Sequence, residues 1–557
     1  MPELRPLVAA MVDASTQLTA PGSPFETHEE EVLGERMAVF AQRPRSLREV
    51  LQASAAHGDR DCLVFDDGRR ISFAQLERDV ASVAAGLRAR GIEQGDRVAI
   101  CAANGPGWLL TFWAATSMGA VVVAMNGWWT AHEMRHALEL TEPKLLLADG
   151  KRLQRIEDPA MPVLDLDTDF DALWHHDPDA ALSDVAIAED DPAMLLFTSG
   201  TTGRPKAAVL THRTVIAFST MQSFIGARAM AMTGRLNTGA PAAARLAVFP
   251  LFHVSGMGTT VSGLLTGAAT VWPLGRFDAG HIIELTKEHG IGAWGGTSTH
   301  VLRLLEHPDL DTLDPLSIQS VGIGGSASTP DIIRRTEEKF PHLKGTFSTG
   351  YGSTETGGLV SYASNAMITA ATDCVGPPLP TIDVRIVDDE GNDVPEGHEG
   401  NICARSPLVM KEYWRHPEAN AETFLPGRWV KTGDFGRLQD GALFIASRKR
   451  DLIIRGGENI YPFEIENRLE EHPEIGETAV FGVDHPILGQ EVKAVVVVTD
   501  DSALTAADVQ RWCAETLSSY KVPAHVELRT EALPRNATGK IMKHVLSGEA
   551  ENTFVEE

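Results

Sequence analysis

The sequence predicts an α/β protein: a large N-terminal domain of two packed α/β sheets with a β-rich subdomain, followed by a small α/β C-terminal domain. Three observations predict it. The phrase "MGAVVVAMNGWWT" (118–130) has a looser echo in "TGAATVWPLGRF" (266–277), each placing an apolar helical segment before a Gly-Ala turn and an apolar strand after it. Such helix-to-strand crossovers build parallel sheets, and two of them predict two similar sheets. From Asp383 the pattern changes to short strands between turn residues, with Asp389-Glu390-Gly391-Asn392 and Gln439-Asp440-Gly441 reading as hairpin turns. Beyond Arg450, segments such as "PFEIENRLEEHPEI", "KAVVVVT" and "AADVQRWCAETL" alternate helix and strand over a length that suits one further small domain. The boundaries read as 1–449 for the large domain, with the β-rich part at about 376–449, and 450–557 for the small one.

Each element follows in chain order. The apolar patch Pro6–Val12 lies between Glu3 and Asp13 without a cleavage signal, so a secretory leader is not expected. Two long uncharged stretches, 104–131 and 246–275, are broken by Gly, Pro, Asn or His. They resolve into pieces rather than membrane spans: Pro106 opens a helix that ends near Gly119, and 120–125 is a buried strand. The apolar run before Thr198 is another buried strand, and "GIGGSA" (322–327) follows the apolar "LSIQSV" and precedes a helix opened by Thr329 and Pro330.

Composition narrows the function. A chain of 557 residues exceeds one hydrophobic core. Its 49 basic against 76 acidic residues give a net charge of −27, which repels nucleic acid, so any anionic ligand needs a local basic site. Five scattered cysteines, with no CxxC pair, argue against a disulfide framework or a zinc site and for a reducing cytoplasm.

The stretch "LLFTSGTTGRPKAAVLTH" (195–212) carries the chemistry. Glycines let a backbone aim several N–H groups at an anion, hydroxyls add neutral donors and a lysine adds compact positive charge. Thr198, Ser199, Gly200, Thr201, Thr202, Gly203 and Lys206 therefore form a polyphosphate cradle. It is not a Walker loop, since Pro205 stands five residues after Gly200, where that motif needs its second Gly, and Ala207 rather than Ser or Thr follows Lys206. "GIGGSA" satisfies the G-x-G-x-x-A dinucleotide variant, but no acidic residue closes a second strand at the required distance, which leaves a dinucleotide-dependent dehydrogenase as a distant alternative.

"TSGTTGRPK", "PLFHVSG", "GYGSTETGG", "TGDFGRL", "RKRDLIIRGGENIYPFEIE" and "LPRNATGKIMK" follow one another in this order. In that order and context they resemble the adenylate-forming superfamily of acyl-CoA synthetases, peptide-synthetase adenylation domains and luciferases, over residues from about 45 to 545. The resemblance implies an acid–thiol ligase that uses ATP, Mg²⁺ and CoA. A carboxylate first forms acyl-AMP with loss of pyrophosphate, and the thiol then displaces AMP.

It also implies residue roles. The loop to Lys206 holds the β- and γ-phosphates; Tyr351 stacks on adenine beside the backbone of Gly324, Gly325 and Ser326, with Gly352 next in the chain. Thr354 serves the α-phosphate region and Glu355 binds Mg²⁺. Asp434 holds the ribose hydroxyls and Arg448 the same sugar or its phosphate. Lys540 contacts the substrate carboxylate and α-phosphate. The small domain is mobile and swings about hinge Arg450 to bring Gly456, Gly457 and Glu458 to the CoA path. His253 sits between acyl pocket and thiol, and His253, Trp294, Gly296, Gly322 and Gly324 line the pocket.

This chain departs from the usual pattern at Ala207 (usually Gly), Arg450 (usually Asp or Lys) and Ser447 (often Gly), and "WGGTSTH" (294–300) lacks a proline. These departures leave open the balance between the two half-reactions, and with it an acyl-AMP ligase loading an acyl carrier protein, or a ligase biased to thioester formation. Gly295, Gly296, Gly322 and Gly324 remove side-chain volume while Trp294, Ile323 and Leu251 would supply apolar walls, which implies a bulky or extended hydrophobic acid. The opening "TAPGSPFETHEEEVLG" resembles bacterial synthetases for fatty, aryl or polycyclic acids. A homodimer is left open as the assembly.

Overall fold

The computed structural model describes residues 3–198, 205–233, 242–324, 330–344, 347–448, 451–455, 458–499, 502–536 and 541–548. Arg450, Lys540, Ser199 to Gly203, Gly325, Ser326, Gly456 and Gly457 lie outside them.

Two large sheets form the N-terminal body. A six-stranded sheet runs, edge to edge, Lys206–Thr211, Pro192–Thr198, Val121–Ala124, Arg97–Cys101, Leu145–Ala148, Val163–Asp165. An eight-stranded sheet runs Ser361–Ser364, Ser348–Tyr351, Ser320–Ile323, Ile291–Gly296, Ala244–Leu246, Thr270–Trp272, Asp61–Phe65, Arg70–Ser72. The central strands of both are parallel; those of the first sheet are buried on both faces, whereas in the second Ser320–Ile323 is buried on one face and exposed on the other. The helix Pro106–Ser117, with proline in its first turn, is buried on nearly every side because it packs between the sheets, touching Val98 and Ile100 of one and joining Phe65 and Trp272 of the other in one core.

The two echoing phrases have the same local structure in different sheets. Pro106–Ser117 leads through Gly119 (φ 75°) to Val121–Ala124, and Val254–Thr266 leads through Gly267 (φ 65°) to Thr270–Trp272. Glycine is required at both turns, because the left-handed backbone that ends the helix strains any residue with a Cβ. The two uncharged stretches thus become helix and strand, and no helix among the described residues is long and apolar enough to cross a membrane.

A third sheet, Cys374–Gly376, Ala442–Arg448, Trp429–Gln439, Gly400–Arg405, Asp383–Val387, is antiparallel. Gln439 pairs with Ala442 across a two-residue turn with positive φ at Asp440 and Gly441, as the sequence indicates. Residues 389–392 turn the chain back tightly as well, as the sequence indicates: Val387 bridges Asp393 in antiparallel fashion, Asp388 N–H donates to Asn392 O at 2.9 Å and Val394 N–H to Ile386 O at 3.0 Å, before the chain runs on to Gly400. The C-terminal residues form a five-stranded sheet, Glu458–Ile460, Ile453–Arg455, Gly489–Val498, Ile475–His485 and His525–Arg529, with helices Pro462–Glu470 and Ala506–Ala514. All five cysteines are buried.

Two histidines, His212 buried and His300 half-buried, link the fold to pH. His212 is 0% exposed and its Nδ1 accepts the Leu47 N–H. Burial, with the charge of Arg48, lowers its pKa to about 4. Burial, with Arg303, does the same to His300, again to about 4. Both bind a proton more weakly folded than unfolded, so their contribution is whole above pH ~6.5 and is lost as pH falls toward about 4, on the order of 3 kcal/mol from each. The urea midpoint should therefore drop between pH 7 and pH 5, and a midpoint flat over that range would refute the assignment.

Candidate active site

Thr198 ends one strand and Lys206 begins the next, and the two are direct partners across the antiparallel pair. The cradle therefore leaves and re-enters the sheet at adjacent points, at its edge. Lys206 is 9% exposed and its Nζ lies 5.2 Å from the centre of the Tyr413 ring. The Tyr413 hydroxyl donates to Glu355 Oε1 at 2.7 Å. Burial, the Glu355 charge and that hydrogen bond raise the phenol pKa, so Tyr413 stays a neutral donor.

Backbone pairing holds this group in place. Residues 411–414 add along the strand of Lys206: Lys411 donates to Val209, Val209 to Glu412 and Trp414 to Ala207, each at 2.8 Å. Met410 N–H donates to the Glu355 carbonyl at 3.0 Å. Ala207 is 1% exposed under this strap, so its methyl is part of the packing beside Lys206. Tyr413 was not identified from the sequence, and nothing in "KEYWRHPE" marks it except an aromatic beside charges.

The turn that presents Thr354 and Glu355 is tight. Gly358 N–H donates to Ser353 O at 2.7 Å and Gly357 N–H to Thr354 O at 3.0 Å. Gly357 and Gly358 have φ of 69° and 101°, and a Cβ on Gly357 would lie 1.9 Å from Leu408 O. Gly352 is equally confined, since its Cβ would lie 2.5 Å from Gly358 O. Tyr351 precedes the turn, and its hydroxyl donates to Asp434 Oδ2 at 2.7 Å. Asp434 is the register partner of Arg448, so the backbones of these two residues adjoin where Tyr351 meets Asp434. The Asp434 N–H is held by Thr432 Oγ1 at 3.1 Å.

His253 caps the helix Val254–Thr266 by position, half-buried, with its ring 4.6 Å from that of Phe252. Asn104 fixes the preceding loop, donating to Phe249 O and accepting from Leu251 N–H, both at 2.9 Å. Phe249 in turn lies over Gly295 and Gly324, 3.8 and 3.7 Å from where their Cβ atoms would be. Asn104 and Phe249 were also missed in the sequence.

The pocket expectation divides by strand face. Gly322 and Gly324 lie on an open face of the eight-stranded sheet, and a Cβ on Gly322 would meet nothing closer than 4.0 Å. Trp294 does not line that face. It is 3% exposed on the opposite side, donating to Thr286 Oγ1 at 3.0 Å and edge-on to Phe340, in the core that also holds Ile323. Gly296 shares the side of Trp294, with His300 Cβ 2.8 Å from where its own Cβ would be. Leu251 is 0% exposed in the core between the sheets. Successive strand residues face opposite ways, so Trp294, Gly296 and Ile323 cannot share a surface with Gly322 and Gly324.

Glu355 offers one carboxylate with Oε1 held by Tyr413, and among the described residues no cluster of three or more His, Cys, Asp or Glu could cage a metal. That donor set fits Mg²⁺, which takes one or two carboxylates and fills its remaining positions with water and phosphate oxygens. In the small domain Glu458 opens the strand Glu458–Ile460 and pairs in register with Arg455.

Residues 50–414 match the family described as AMP-binding enzyme and residues 464–540 the AMP-binding enzyme C-terminal domain. The chain is 33% identical to a feruloyl-CoA synthase of an Amycolatopsis species, over 86% of this chain and 93% of that one. It is 31% identical to a fatty acid–acyl-carrier-protein ligase of Streptomyces coeruleorubidus, over 90% and 96%. Its fold matches the o-succinylbenzoate CoA synthetase of Bacillus subtilis in complex with an acyl-adenylate intermediate, with TM-score 0.76 at 27% identity over 91% of this chain and 98% of that one.

Proposed function

Because the chain belongs to the AMP-binding enzyme family and is an AMP-forming acid–thiol ligase, we propose that it activates a hydrophobic, extended or bulky carboxylic acid with ATP and transfers the acyl group to CoA. The observation that carries the assignment of roles is the chain of contacts Lys206, Tyr413, Glu355 at the point where the hydroxyl-rich loop meets the sheet. It sets a cation and a carboxylate on one neutral phenol, an arrangement able to take phosphate oxygens on one side and a divalent cation on the other.

In this reading Thr198 to Lys206 grip the β- and γ-phosphates. Glu355 would hold Mg²⁺, which would supply positive charge to offset that of the phosphate oxygens. Tyr351 presents its ring to adenine; its hydroxyl bond to Asp434 supports the role of the Asp434 carboxylate at the ribose, with Arg448 at the same sugar or its phosphate. Thr354 hydrogen-bonds near the α-phosphate. Lys540 neutralises charge as the carboxylate attacks phosphorus. The small domain, from hinge Arg450 onward, then turns so that Gly456, Gly457 and Glu458 flank the thiol, with His253 between thiol and acyl group. The acyl chain occupies the open face at Gly322 and Gly324.

The test is to incubate the protein with ATP, Mg²⁺ and a panel of fatty, aryl, steroidal and terpenoid acids, with and without CoA, and to quantify acyl-AMP and acyl-CoA by mass. The reading predicts acyl-CoA from one structural class and AMP in equal amount. Acyl-AMP that never proceeds to thioester with CoA, but does so with an acyl carrier protein, would replace CoA by the carrier as acceptor.

A further inference from the structure

The eight-stranded sheet has two unlike faces. One bears Trp294, Val321 and Ile323 in an apolar core. The other bears Gly295, Gly322 and Gly324, and the first residue in register beside them is charged: Arg245 pairs with Ala293, two positions before Gly295 on the same face. The Arg245 guanidinium makes no hydrogen bond or ion pair with any described residue, and burial alone lowers its pKa.

A second cation stands at the other flank. Tyr362 is the partner of Gly350 in the edge strand, and Arg228, from the helix His212–Thr233, lies 5.8 Å from the centre of its ring. Arg228 is 2% exposed, its one polar contact is with Ser15 Oγ at 3.2 Å, and its Nη2 is buried without a partner. Burial lowers this guanidinium to about 10, an effect that Tyr362 only partly opposes. Other buried arginines in this acidic chain meet carboxylates: Arg152 pairs with Asp149, and Arg213 with Glu30, Glu189 and Asp190. A buried cation without a counter-ion is costly, and the cost falls when an anion arrives.

We propose that the acid this enzyme prefers carries a second carboxylate, remote from the reacting one, received in the glycine-lined trough by Arg245 with Arg228 at the opposite flank. The inference rests on the assignment of that face to the acyl chain. Strands spaced about 4.8 Å apart, with Arg245 two residues behind Gly322, put the two backbones about 12 Å apart, a gap that an arginine side chain narrows toward a ligand lying over glycines that have no side chains of their own. Along the strand, Arg245 is level with Ser320, four residues or about 13 Å before the Gly324 end, where ATP is placed, which selects a long dicarboxylic acid over a short one.

The experiment compares α,ω-dicarboxylic acids with monocarboxylic acids of equal length, about six to fourteen carbons, using the full chain with ATP, Mg²⁺ and CoA. The wild type should favour the longer diacids by about 10- to 100-fold in kcat/KM, the range for a charge-assisted contact. Arg245→Leu should reverse that preference, raising turnover of the monoacid and losing the diacid mainly through KM, while Arg245→Lys keeps part of it. A wild type that favours monoacids, or an Arg245→Leu variant that lowers both series alike, would overturn the inference and leave the ligase assignment standing. Turnover of neither series, nor of any other acid, would remove the ligase assignment and this inference together.

Discussion

Glu355→Gln should lower acyl-AMP formation by about 100-fold or more while the protein folds as before. The side chain is nearly isosteric, and its amide oxygen can still accept from the Tyr413 hydroxyl, which now donates to Oε1 at 2.7 Å. The backbone bonds that shape the turn, Gly357 to Thr354 and Gly358 to Ser353, do not involve the side chain. What is lost is the negative charge that makes Glu355 a ligand for a hard cation. The Mg²⁺ concentration for half-maximal rate should therefore rise along with the loss in rate. Tyr413→Phe is the companion measurement, removing the hydrogen bond while leaving the ring under Lys206, and a smaller loss of about 10-fold is expected. Glu355→Gln with an unaltered Mg²⁺ requirement would mean that the carboxylate acts on something other than the metal.

The sequence was informative where local chemistry dictates local structure. Pro106 opens its helix, Gly119 and Gly267 close theirs, and Gln439-Asp440-Gly441 makes its hairpin, because each depends on backbone preferences of the residues themselves. Tyr413 was not legible, since it meets Glu355 across 58 positions of chain and only the strap of residues 410–414 explains the meeting. Trp294 and Gly296 were misplaced for a different reason. The segment was read as a set of small and apolar residues, whereas a strand sends alternate residues to opposite faces, so Trp294 fell in the core. Arg245 shows the limit from the other side: its register with Ala293, which sets it beside the glycines, exists only once the sheet is assembled.

Gly322→Leu should remove activity toward bulky acids, by about 100-fold in kcat/KM, at no cost in stability. The usual objection to filling a glycine position is that the backbone or a neighbour forbids it. That objection holds for Gly358, with φ of 101° and Phe218 at 2.5 Å from the added Cβ, and for Gly350, where Leu359 would be 2.8 Å away. It fails for Gly322, whose backbone is ordinary strand and whose Cβ would have the Trp294 carbonyl at 4.0 Å as its nearest neighbour. A branched side chain there gains strand propensity and loses unfolded-state freedom, so Tm should hold or rise. The volume it occupies is then taken from the ligand alone. Long or polycyclic acids should lose affinity and rate, short acids should be spared, and ATP binding should be kept, because Tyr351, Asp434 and Lys206 belong to other strands. If Gly322→Leu still turned over the bulkiest acids with unchanged KM, the acyl chain would have to lie elsewhere than on the glycine face, and the role given to Arg245 would fall with it.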